Sequence, residues 1–136
     1  AHVRQRLDES AMNEAASLLK GEHDFAAFAG PATPPDAITV RRVEESGVTR
    51  NGDEVEFTIR GNAFVHQQVR RIVGALVRVG RSQMESDQFQ QLIDRAERGL
   101  AKDLAPARGL CLTKVNYPGA DGTGLPRTTR DRATIR

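Results

Sequence analysis

Within Gly61–Gly80, GNAFVHQQVRRIVGALVRVG, one arginine stands where it can do chemistry. At roughly 100° per residue, Val65, Val69, Ile72, Val73, Leu76 and Val79 share one broad apolar stripe of a helix. Arg71 and Arg78 take the opposite, solvated side, and Arg70 falls on the flank between the two. Gly74 lies one turn further along that flank. Glycine there costs about 1 kcal/mol of helix propensity against alanine, so its presence points to a close neighbour. A flank arginine beside such a gap can reach a carboxylate in a cleft, its stem packed and its fork held. An ordinary snorkelling arginine and a helix-packing glycine fit the same pattern.

The remaining chemistry-bearing residues are fewer and more scattered. Arg71, Arg78 and Arg81 are placed to meet phosphate from the solvated side of this helix, and Arg41 and Arg42 break a strand alternation to offer a second basic point. Solvated side chains are the ordinary alternative for all five. His2, His23 and His66 with the single Cys111 show no metal-ligand spacing, so no metal is expected. Cys111 sits in a strand pattern and reads as a small buried hydrophobe.

Several elements must hold these residues in place. Asp8 or Ser10 caps a first helix with Met12, Ala15, Ala16 and Leu19 on one face, closed by Gly21. GEHDFAAF reads as a short helical turn that inserts Phe25 and Phe28 into the core, with Asp24 as its local cap. Three prolines within Pro31–Pro35 make that stretch a loop. A strand over Ala37–Thr49, an Asn51-Gly52 turn and a return strand bearing Val55, Phe57 and Ile59 form a hairpin. The Arg70 helix follows, then a helix capped by Ser86, with Phe89, Leu92, Ile93 and Ala96 inward and Gly99 at its end.

A last strand, Leu110–Tyr117, places Cys111, Thr113, Val115 and Tyr117 on the helix-covered face and Leu110 on the open one. The expected fold class is α+β, one antiparallel sheet with helices on one face. Residues 1–118 form the domain. Residues 119–136 lack apolar periodicity and read as a flexible tail with Arg127, Arg130, Arg132 and Arg136.

The wording of these segments is specific. GNAFVHQQVRRIVGALVRVG resembles the final signature of the TruA-type tRNA pseudouridine synthases, approximately NxFxxxMVRxIVGxLxxVG. Met12–Ala16, Gly21–Phe25 with Phe28, Ala105–Ala107, Gly109–Leu112 and Val115–Pro118 agree in order and spacing, so the resemblance covers about Leu7 to Pro118. Gln68 stands where methionine is common, Cys111 where an aromatic is common, and Ala26-Ala27 where the family has a serine-containing spacer.

The resemblance implies an RRM-like half of a two-half enzyme that isomerises uridine to pseudouridine in an extruded nucleotide of tRNA, with no cofactor. It implies that Arg70 pairs with a catalytic aspartate and that Leu110 supports the flipped base, although Leu110 also reads as a strand-core leucine. His66, one turn before Arg70 on the same flank, can touch RNA, carry a proton or sit satisfied at the helix edge. The family's aspartate belongs to an Arg-Thr-Asp-Ala-Gly-Val-His type motif in the amino-terminal half. No such string occurs here. The expectation is therefore a carboxy-terminal half, inactive alone, whose partners are tRNA, the amino-terminal half and, in the full protein, a second copy.

Composition narrows the alternatives. The net charge of +2 says little, but 17 of 20 basic residues are arginine, which suits planar contacts to phosphate and carboxylate. Arginine-rich codon usage or a heat-adapted host would leave the same mark. With no Trp and one Tyr, a base-stacking platform is not expected. One cysteine excludes an internal disulfide and suggests a reducing, cytoplasmic setting. No apolar run nears the ~20 residues of a membrane span, and no signal-peptide pattern opens the chain, so no membrane partner is expected. The competing readings are a stand-alone RNA-binding module without turnover and a purely structural assembly domain.

Overall fold

The computed structural model describes residues 7–64, 67–102, 110–117 and 128–135, with the backbone alone over 110–117 and 128–130. Helix α1 spans Glu9–Ser17, and Asp8 caps it by accepting a hydrogen bond from the Ala11 amide at 3.1 Å. Its Met12, Ala15 and Ala16 are buried, and the Met12 side chain lies against Gly80. Strand β1 runs Gly21–Asp24 and is followed by a 3-10 turn, Ala26–Phe28. The expected helical turn is therefore half strand. Pairing of β1 with β2 satisfies its backbone across a ladder that local sequence does not reveal.

Strands β2 (Val40–Asn51) and β3 (Glu54–Gly61) form the anticipated hairpin with its turn moved by one residue. Asn51 pairs with Glu54, so Gly52 and Asp53 are the central residues. Gly52 has φ +63° and Asp53 is not left-handed, a combination that suits a turn with glycine first rather than an Asn-Gly turn. Val55, Phe57 and Ile59 alternate inward as expected.

Helix α2 covers Gln68–Gly80 and buries Val69, Ile72, Val73, Leu76 and Val79 along one stripe. It starts later than the motif because Gln67 is left-handed, with φ 60°. Val65 lies outside the described residues. Helix α3, Ser86–Arg95, is capped by Glu85 rather than Ser86, through a reciprocal capping box with Gln88. It ends on left-handed Ala96, three residues before Gly99.

Strands β4 (Leu110–Tyr117) and β5 (Thr128–Ile135) complete an antiparallel sheet of order β1-β2-β3-β5-β4. Here the expectation of a tail fails. Thr128–Ile135 lies between β3 and β4 and pairs with both. Ala133 stands opposite Phe57 with no exposure, and Asp131 is only 4% exposed. Hydropathy hides this strand because two ladders satisfy its backbone, while Ala133 and Ile135 supply its only apolar side chains in the ladder.

The core lies between sheet and helices. Phe25, Phe28, Phe57 and Phe89 are fully buried there, and the Phe28 ring lies 6.3 Å from that of Phe25 and 6.0 Å from that of Phe89. Polar contacts dock α1 on β2, among them an Arg50–Glu9 ion pair at 2.9 Å. The Ser46 hydroxyl donates to the Ala16 carbonyl at 2.7 Å, and Asn13 Oδ1 accepts from the Val48 amide at 2.9 Å.

The sheet leaves least room at Gly61. A Cβ there would stand 2.5 Å from the Arg42 carbonyl oxygen and 3.3 Å from the Phe64 ring. The obstacle is paired backbone that cannot swing aside, because Arg42 and Asn62 exchange hydrogen bonds across this spot. Gly61→Ala is expected to cost about 1–3 kcal/mol by overpacking. A urea titration checks it, and an unchanged midpoint would mean that the β2–β3 contact yields.

Candidate functional site

Arg70 occupies the third position of α2, half-buried at the edge of the apolar stripe, as its spacing predicts. The first turn of α2 holds no acidic residue, yet Arg70 and Arg71 follow within four residues of its start. Helix amino termini carry partial positive charge and usually attract carboxylates. Two arginines stand at this end of α2 instead.

Arg71 departs from expectation. It is half-buried rather than solvated, because Nε donates to Gln67 Oε1 at 3.3 Å and Nη1 donates to the Ala101 carbonyl at 2.9 Å. The chain after α3 folds back over the start of α2 and captures the guanidinium. Arg78 is also half-buried, two turns along and roughly 10 Å away by helical rise. Arg81 is exposed just past the helix end.

Arg41 braces its own strand, with Nη1 donating to the carbonyls of Ile38 at 2.7 Å and Val40 at 2.9 Å. The Arg42 side chain is exposed, while its amide donates to Asn62 Oδ1 at 2.9 Å. The five arginines expected to meet phosphate are thus divided between β2 and the length of α2.

Leu110 opens β4, in register with Ile135. Ile135 pairs in turn with buried Val55 and packs on the core, so register gives position 110 the parity of the helix-covered face. The expected open-face position is corrected by one residue of alternation, and the insertion of β5 sets that phase. His66 lies outside the described residues. Asp24 does cap its turn, with Oδ1 accepting from the Ala26 amide at 3.0 Å and from the Thr39 hydroxyl. His23 Nε2 is 2.7 Å from the Lys20 carbonyl, a local contact.

Among the described residues, the face of the sheet away from the helices carries paired charges. Arg60 Nε lies 3.6 Å from Glu44 and 3.7 Å from Glu45, and Arg132 Nε lies 3.2 Å from Glu56. Such pairs are partly exposed and stabilise little, but they offset the positive charge this face would otherwise offer a polyanion.

Sequence reasoning missed a cavity of about 400 Å3 beside Arg71, to which Thr33, Arg98 and Lys102 also contribute. Those residues come from the proline-rich loop and from the segment after α3. No periodicity links them, so only the fold reveals the grouping. Among the described residues, no three His, Cys, Asp or Glu side chains form a group that could hold a metal ion, and no helix is long and apolar enough to cross a membrane.

The profile of the tRNA pseudouridine synthase family matches residues 15–118. The chain belongs to this family. Similar proteins named tRNA pseudouridine synthase A include one from Maricaulis maris, 39% identical over 117 residues, which covers 86% of this chain and 47% of that protein. One from Vibrio campbellii is 39% identical over 127 residues, covering 93% and 47% respectively. One from Chloroflexus aurantiacus is 45% identical over 124 residues, covering 86% and 43%. The chain thus spans a little under half the length of these curated relatives. Helix α2 with Arg70 and the strand beginning at Leu110 both fall inside the matched region.

Proposed function

We propose that this chain is the carboxy-terminal half of an enzyme that isomerises uridine to pseudouridine in tRNA. The observation that carries this reading is the family match over residues 15–118, combined with coverage of just under half of each relative. The reaction breaks the bond from uracil N1 to the ribose C1′ and forms one from C5 to the same carbon. A proton leaves C5 and one is gained at N1, so the change is redox-neutral and needs no electron carrier. The residues of this chain supply surroundings rather than the reacting carboxylate. Arg70 faces an aspartate from the amino-terminal half, keeps it ionised and orients it. Leu110 forms part of the wall beside the base. The amino-terminal half and tRNA are the partners, and the full protein pairs with a second copy.

The test compares the 136-residue chain with a complete protein that carries the preceding amino-terminal half. Each is incubated with tRNA tritiated at uridine C5, and released tritium is counted. The complete protein should release tritium and the chain alone should remain at background. Turnover by the chain alone would refute the division of the active site. A complete protein that binds tRNA without releasing tritium would favour a binding module.

A further inference from the structure

We propose that the cavity between the proline-rich loop, the start of α2 and the segment after α3 is a phosphate-binding site. Among the described residues that line it, Arg71, Arg98 and Lys102 are cationic and none is acidic. Thr33 is 8% exposed and lines the cavity, and its hydroxyl is buried in the wall without a hydrogen-bond partner. A buried hydroxyl is costly to leave unsatisfied, so a polar occupant is called for.

The frame around this hydroxyl is well held. Arg98 donates from Nη1 to the Thr33 carbonyl and from Nη2 to the Ala37 carbonyl, each at 3.3 Å, tying the loop to the segment after α3. Arg71 is fixed by Gln67 and Ala101, which together use two of its five N–H donors. The cavity therefore gathers fixed guanidinium groups and an ammonium around one space, with an unsatisfied hydroxyl buried in its wall. A tetrahedral dianion or phosphodiester, acceptor on every oxygen, matches that donor set.

Arg71 directly follows Arg70, so a phosphate held here lies beside the α2 turn assigned to the cleft. We therefore assign the site to a backbone phosphodiester of tRNA. That assignment rests on the function proposed above, whereas the phosphate chemistry does not.

Inorganic phosphate titrated into the 136-residue chain, followed by amide NMR, tests the site. It should shift Gly30, Thr33 and Gly99 selectively and saturably. Thr33→Val keeps the side-chain shape and removes the hydroxyl. Lys102→Ala removes an exposed charge that braces nothing among the described residues. Each should weaken phosphate binding about tenfold, and Thr33→Val should melt no lower than the parent. Unshifted amides, or unchanged affinity in both variants, would overturn the site. In the complete protein, Lys102→Ala should lower the salt dependence of tRNA binding by ~0.7–0.9 in log–log slope. An unchanged slope, with phosphate still bound, would overturn the tRNA assignment in favour of a free phosphate. Phosphate binding in a complete protein that binds no tRNA would count against the proposed function and leave the site standing.

Discussion

Arg70→Met in the complete enzyme is expected to lower single-turnover pseudouridine formation by about 2.2 to 3.7 orders of magnitude. Methionine keeps the packed stem and favours helix, so α2 should form as before. On the proposed function, what is lost is the charge opposite an aspartate of the amino-terminal half. Removing one partner of a buried ion pair typically costs about 3–5 kcal/mol, because the remaining carboxylate must protonate or stay uncompensated. At about 1.36 kcal/mol per tenfold change, that energy gives the stated range. Arg70→Lys should recover part of the rate, since an ammonium keeps the charge without the fork. Thermal melting of the variants should match the parent. Near-normal turnover in Arg70→Met would reassign this arginine to helix-edge packing.

Ending the chain at Pro118 is expected to abolish its cooperative unfolding transition. The truncation removes β5, which separates β3 from β4 and is hydrogen-bonded to both. Two ladders are lost together, the backbone of β4 loses its partner, and the Ala133 position over Phe57 opens. Far-UV circular dichroism with a urea titration reads the result. A truncated chain with the parent's midpoint would show that β5 adds nothing to the fold. Ala133→Glu offers a finer test, since it drives a carboxylate into the core without shortening the chain. It should destabilise strongly, because an unpaired buried charge is among the costliest single changes.

Elements governed by short-range periodicity were legible before any coordinates. The α2 stripe from Val69 to Val79, the inner face of α3 with Phe89 and Ile93, and the Val55–Phe57–Ile59 alternation all match. Each is a repeat of 3.6 or 2 residues, written within one segment and read against one buried surface. The flank position of Arg70 follows from the same arithmetic, and the ordered signature words revealed the family.

Tertiary structure alone decided what depends on residues far apart in the chain. Strand β1 exists because β2 pairs with it, and β5 exists because β3 and β4 do. Neither segment carries enough apolar pattern to declare itself. The same insertion sets the parity of Leu110. Arg71 was expected in solvent, but the Ala101 carbonyl, thirty residues on, fixes it. Thr33 and Lys102 meet around it only through the return of the chain after α3. Backbone ladders and long-range polar contacts are satisfied between segments, so their signal is spread over the fold and absent from any one window of sequence.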